Sequence, residues 1–263
     1  MSYATIKGVP IHYRVDGPID SDAPWIVFSN SLGADVSMWT PQLAAFASRY
    51  RVLRYDTRGH GHSDAPKGSY TIEQLTGDVL GLLDELSIAR AHFCGISMGG
   101  ITGVALAARY PDRVDRIVLA NTAAKIGSDE VWVPRADKAR NGGMASLADA
   151  VLPRWFTQAF IERETLMYAQ IRDVFVHTDN EGYASNCDAL RIADLRGETY
   201  NIRARTLVIS GTHDVAATTQ QGKELTASID GARYVEFDAS HITNIELPDA
   251  FNRTVLDFLA EAS

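Results

Sequence analysis

The chain has 263 residues, 46% hydrophobic and 22% charged, with a formal net charge of −8. That length and balance suit one large domain, or one domain carrying an insertion, around a substantial core. An acidic chain without long blocks of like charge is a poor partner for nucleic acid or an anionic membrane, and no apolar run is long enough to span a bilayer.

In chain order, residues 1–15 (MSYATIKGVPIHYRV) lack a charged-then-apolar targeting segment. Two short alternating stretches, 3–7 and 11–15, flank Gly8-Val9-Pro10 and predict an antiparallel hairpin. Apolar runs bounded by turn residues follow at 25–29, 51–55, 92–95, 117–120, 206–210 and 234–237; they predict buried parallel strands. Helical patterns at 39–48, 71–86, 98–109, 218–229 and 248–261 alternate with them, which predicts a mostly parallel α/β sheet covered by helices on both faces. One segment breaks the rhythm. Residues 125–203 have helical periodicity and no convincing strand, and predict an all-helical cap inserted into a core made of 1–124 and 204–263. The two cysteines, Cys94 and Cys187, are expected as free thiols of a cytoplasmic protein, Cys94 packing within a strand.

Chemistry enters where the third apolar run of that series ends. Gly95-Ile96-Ser97-Met98-Gly99 joins an apolar strand to a helix. A chain that reverses sharply from strand to helix strains its central residue, and flanking glycines leave room for the reversal. The serine hydroxyl then stands exposed at the helix N-terminus. Ser97 is the expected nucleophile, the bland alternative being a serine that caps a helix.

A serine hydroxyl needs a base to take its proton. Two later segments end strands on the same edge of the sheet: Ser210-Gly211-Thr212-His213-Asp214 and Asp238-Ala239-Ser240-His241. Asp214 and His241 are therefore the expected acid and base, in the order serine, acid, histidine. His12 lies in the hairpin, His92 at the start of a strand, the wrong end, and His177 in the helical insertion; His60 and His62 belong to a tight turn, and the side chain of His213 should point away from Asp214. The oxyanion formed on attack needs two backbone N–H donors, expected from Met98 and, in the loop Asn30-Ser31-Leu32-Gly33, from Leu32.

The elbow, the turn Asp56-Thr57-Arg58-Gly59-His60-Gly61-His62-Ser63, and the Gly-Thr-His-Asp and Ala-Ser-His segments together resemble the α/β-hydrolase superfamily over the whole chain. Within it, Asn121-Thr122-Ala123-Ala124-Lys125-Ile126-Gly127, Gly142-Gly143-Met144, Leu147-Ala148-Asp149, Arg154-Trp155-Phe156-Thr157 and Asp194-Leu195-Arg196 are similar to the 3-oxoadipate enol-lactonases of aromatic catabolism. Where related hydrolases of the superfamily commonly have His-Gly in the oxyanion loop, this chain has Asn30-Ser31. The resemblance implies opening of a small anionic lactone through an acyl-enzyme, with no metal or organic cofactor.

An anionic substrate calls for a cation in the pocket. Arg135 and Lys138, which would share a helix face, are the expected candidates, against the alternative of a solvated face. Trp132 and Trp155 either wall the pocket or simply pack the cap. A general carboxylesterase, a carbon–carbon bond hydrolase of the same scaffold and a non-catalytic hydrolase-like receptor remain as alternatives. Oligomeric state is not encoded in any pattern of the sequence.

Overall fold

The structure, a computed structural model, describes residues 1–18 and 22–261. Strands β1 (Ser2–Ile6) and β2 (Val9–Asp16) form the expected hairpin. Its turn residues Lys7 and Gly8 have φ of 48° and 84°, the left-handed pair that a two-residue hairpin requires. Antiparallel pairing of Ala4 with Ile11 and Ile6 with Val9 places Ala4, Ile6 and Ile11 in the core.

The remaining strands are β3 (Trp25–Ser29), β4 (Arg51–Tyr55), β5 (Ala91–Ile96), β6 (Val114–Ala120), β7 (Arg205–Gly211) and β8 (Arg233–Phe237). The sheet order is β1-β2-β4-β3-β5-β6-β7-β8; β2 pairs antiparallel with β4, and every pairing from β4 to β8 is parallel. Strand β5 is buried at every position, which is why its sequence reads as an unbroken apolar run instead of alternating. Strand β8, at the edge, is only half-buried and carries Arg233 and Glu236.

Helices α1 (Thr40–Phe46), α2 (Ile72–Glu85) and α3 (Met98–Arg109) belong to the first half of the sheet. Helix α1 is shorter than its pattern suggests. Asp35 accepts from the Ser37 N–H and starts a 3-10 turn, Val36–Trp39, so the α-helix begins only at Thr40, with Pro41 in its first turn. Reciprocal hydrogen bonds between Thr71 and Gln74 fix the start of α2. Helix α3 lies directly on the sheet: a Cβ on Gly99 would stand 2.2 Å from the Ser29 carbonyl oxygen, and one on Gly103 2.6 Å from the Phe93 ring.

Between β6 and β7 the chain forms α4 (Asp129–Gly142), α5 (Ala145–Val151), α6 (Gln158–Arg163), α7 (Thr165–His177) and α8 (Asn180–Ile192), with no strand among these residues. Helices α4 and α8 pack against each other. Gly182 of α8 meets Gly59 of the core backbone so closely that a Cβ on either would clash, and Asn186 donates to the Arg58 carbonyl at 2.8 Å. The chain closes with α9 (Thr219–Ala227), the short α10 (Thr243–Glu246) and α11 (Pro248–Ala260). Helices α3 and α9 share one face of the sheet, with α2 packed on α3, while α1 and α11 pack together on the other. Among the described residues no helix is long and apolar enough to cross a membrane.

Candidate active site

Ser97 sits between β5 and α3 with φ 56° and ψ −112°, a conformation that L-residues avoid and that persists only where the surroundings enforce it. Its N–H donates to Ala120 at 3.0 Å, and its carbonyl accepts from Ile101 at 3.0 Å and from the Thr122 hydroxyl at 2.8 Å, so both sides of the turn are held. No side chain fits at Gly95, where a Cβ would stand 2.2 Å from the Gly99 carbonyl oxygen. Met98 is the first residue of α3, and its N–H, like the other leading amides of a helix, has no partner one turn earlier.

Asp214 follows β7 and His241 follows β8. Oδ2 of Asp214 stands 2.7 Å from Nδ1 of His241, which leaves Nε2 as the proton-accepting nitrogen when the ring is neutral. Oδ1 of Asp214 accepts from the N–H groups of Ala216 at 2.7 Å and Ala217 at 3.0 Å. Burial pushes this carboxyl up, but His241 and the two amides outweigh it and hold its pKa below the ordinary carboxylate value. The two loops cross at Gly211, where a Cβ would lie 2.1 Å from the Ser240 carbonyl oxygen. Ser97 and His241 line one cavity of about 230 Å³.

The loop 30–33 also lines this cavity, through Ser31 and Leu32. Asn30 opens this loop. It donates to the Tyr55 carbonyl at 2.9 Å and accepts from the Trp39 indole at 2.8 Å, anchoring the loop to β4 and to the turn before α1. The turn itself is made at Gly33, with φ 84° and no room for a Cβ against the Phe175 ring, 2.8 Å away. The Gly33 N–H donates to Nε2 of His60 at 2.8 Å. Burial lowers the His60 pKa to about 4, so the ring is neutral and can accept.

The opposite wall comes from the helical insertion. Trp132, Arg135, Arg154 and Trp155 all line the cavity. Nε of Arg135 donates to the Tyr183 hydroxyl at 2.6 Å, and its guanidinium lies 5.3 Å and 5.5 Å from the Trp132 and Tyr183 ring centroids. Among the described residues Arg135 has no carboxylate partner. Lys138 does not join it. The buried stripe of α4 is Trp132, Ala136 and Ala139; Arg135 borders that stripe, whereas Lys138 lies further round the helix, exposed and outside the cavity. Neighbouring Arg140 is occupied by Glu181 and Asp188.

The other histidines take different work. His12 is buried against Asp56, the first residue of the turn 56–63, at 2.7 Å. His213 turns outward to Asp238, also at 2.7 Å. Cys94 and Cys187 are buried thiols, and burial pushes Cys187 up to about 12. Sequence reasoning missed Asn121, whose side chain donates to Asp214 at 3.1 Å and to the Ser240 carbonyl at 3.2 Å and accepts from Thr243 at 2.7 Å. Its signal was available: like Ser97 and Asp214, it is a polar residue at the C-terminal end of a buried strand. Tyr183 and Arg154 carried no such mark.

Comparison with known proteins agrees with this layout. A profile of the alpha/beta hydrolase fold family matches residues 24–186. Over 251 residues the chain is 43% identical to 3-oxoadipate enol-lactonase 2 of Acinetobacter baylyi, covering 95% of this chain and 93% of that protein. A second enol-lactonase of that organism is 41% identical over 93% and 91% of the two chains. The crystal structure of the enol-lactonase from Burkholderia xenovorans superposes with a TM-score of 0.98 at 68% identity, over 99% of this chain and 100% of that one.

Proposed function

This chain belongs to the α/β-hydrolase family, and from that premise we propose that it opens the ring of 3-oxoadipate enol-lactone, giving 3-oxoadipate. The class of reaction is hydrolysis of a carboxylic ester or lactone. In the proposed mechanism Ser97 attacks the lactone carbonyl while Nε2 of His241 takes its proton. Asp214 orients the imidazole and stabilises the imidazolium. The N–H groups of Leu32 and Met98 receive the oxyanion, a contribution of about 10²–10³ in rate for each donor. Collapse breaks the ring C–O bond, His241 protonates the enol oxygen, and a water activated by His241 then hydrolyses the acyl-enzyme. The enol relaxes to the ketone. Arg135 receives the carboxylate that the lactone carries, with Trp132 and Trp155 as walls, and residues 125–203 act as a cap over the core.

The observation that carries this reading is a single cavity. It brings a strained serine, a histidine oriented by a buried carboxylate, and an arginine with no carboxylate partner to one space. The test has two arms. Ser97→Ala should lower turnover of a chromogenic acetate ester by at least about 10⁴-fold while the protein stays folded. The unmodified enzyme should favour the enol-lactone in kcat/KM over neutral lactones and over dienoate ring-cleavage products. No preference among these substrates would overturn the substrate, and hydrolysis that survives in Ser97→Ala would overturn the mechanism.

A further inference from the structure

A second cavity lies beside the first. It has a volume of about 330 Å³ and is walled by the turn leading into α1, by α7 and by Ile242 and Ile245. Its lining is mostly apolar, with Met38, Ile171 and Val174 facing the two isoleucines. The volume is at the lower end of what small-molecule pockets enclose, roughly 300 Å³. Two of its lining residues, Gly33 and Ile242, directly follow Leu32 and His241, which line the first cavity. Among the described residues Trp155 is the one that lines both cavities. It is buried, 5% exposed, and held edge-on against Phe175 with ring centroids 5.6 Å apart. The Trp155 carbonyl also accepts from the Ile242 N–H at 3.0 Å, which ties the backbone of the wall to the backbone next to His241.

We infer that the apolar chamber is a latent subsite for the aliphatic chain of an ester, and that Trp155 is the partition that keeps it out of the reaction. The inference rests on Ser97 being the nucleophile. A compact anionic lactone needs only the smaller cavity, whose polar end is Arg135. With the indole in place a longer chain has no path from the reacting carbonyl into the chamber. Without it the two spaces join next to His241, and a chain can lie against Ile171, Val174 and Ile245, gaining the free energy of apolar burial. Trp155 is thus a specificity-determining residue that restricts the enzyme to short, polar substrates.

The experiment compares 4-nitrophenyl acetate, hexanoate and octanoate, and in parallel acetates of short and long alcohols, on the wild type, Trp155→Ala and the more conservative Trp155→Leu. The wild type should lose activity steeply with chain length. Opening the partition should raise the long-chain to short-chain ratio of kcat/KM by about tenfold or more in at least one of the two series. Refilling the chamber in the double variant Trp155→Leu/Ile171→Trp should remove that gain. A wild type that accepts long chains as readily as short ones, or Trp155 variants that fold with unchanged ratios in both series, overturns the partition. Ser97→Ala run on the same substrates separates the two readings: activity persisting there strikes the nucleophile, whereas abolished activity with unchanged ratios strikes only the partition.

Discussion

Asn121 donates its side-chain N–H to Oδ2 of Asp214, the same oxygen that stands 2.7 Å from Nδ1 of His241. It reaches that position because the backbone at Asn121 is left-handed, with φ 47°, a conformation that asparagine tolerates better than most residues. Its other side-chain contacts, to Ser240 and Thr243, brace the loop on either side of His241. Asn121 is therefore a positioning residue for the acid and the base together.

Asn121→Ala is expected to lower kcat by about tenfold, the scale of one lost hydrogen bond to a charged group, and to leave KM nearly unchanged. Asn121→Asp tests position against mere packing. It keeps the shape but sets a second carboxylate against Asp214, which raises the pKa of the pair. The acid limb of its kcat/KM profile should move to higher pH. A profile that stays in place with a simple loss of amplitude would reduce Asn121 to a packing role.

His60 links stability to pH. Its pKa is lowered from 6.5 to about 4 by burial, with Nε2 engaged by the Gly33 N–H. Unfolding releases the ring to take up a proton wherever the pH is below 6.5. The contribution of neutral His60 is thus complete above that value and shrinks as the pH falls toward 4, by about 3 kcal/mol in all. His60→Gln retains an acceptor for Gly33 but cannot titrate. In urea unfolding, the stability difference between wild type and His60→Gln should narrow by about 2 kcal/mol between about pH 7.5 and about pH 5. Parallel stability curves would show that His60 does not carry this term.

The strands, the elbow and the late Asp and His segments were legible in the sequence because each is encoded locally: an apolar run, a pair of glycines, a polar residue just past a strand. The helical pattern places the end of α1 two residues too late because the N–H groups of Arg49 and Tyr50 both turn back to the Phe46 carbonyl, which closes the helix without a local breaker residue. Lys138 and Arg135 were not separable from spacing alone. Which of two neighbouring cations faces the cavity depends on how α4 packs on α8, through the Tyr183 hydroxyl that takes the Arg135 Nε. Long-range contacts of this kind leave no local pattern: the place of Asn121 just past β6 is marked in the sequence, but its pairing with Asp214 is not. The hairpin illustrates the opposite case, since its register follows from the turn and the alternation within it.

Arg135 and Lys138 can be separated in solution. Arg135→Met retains much of the stacking volume between Trp132 and Tyr183 but removes the charge. It is expected to raise KM for the anionic lactone by about tenfold or more, the scale of a charge-assisted contact, and to leave 4-nitrophenyl acetate nearly unaffected. Tyr183→Phe, which frees Nε, should show a smaller effect of the same kind. Lys138→Met should change neither substrate. Equal losses on charged and neutral substrates in Arg135→Met would remove its part in binding.

Glu246 fastens the histidine loop to the helical insertion. Oε2 accepts from the Ser240 N–H at 2.8 Å, and Oε1 accepts from the N–H of Thr157 at 3.1 Å and from its hydroxyl. The same junction is reinforced by the Ser240 hydroxyl, which donates to the Arg154 carbonyl at 3.0 Å. Glu246→Ala leaves the Ser240 and Thr157 amides without an acceptor in a buried setting. The expected loss is about 2–6 kcal/mol of unfolding free energy, from about 1–3 kcal/mol for each stranded group. Glu246→Gln keeps one acceptor oxygen and should fall between the two. Because the residue after Ser240 is His241, kcat should decline in the same order as stability, with Ser97→Ala as the inactive reference. Retained stability in Glu246→Ala would mean that ordered water replaces the carboxylate at the junction of the helical insertion and the histidine loop, beside the contacts of the Arg154 and Trp155 carbonyls.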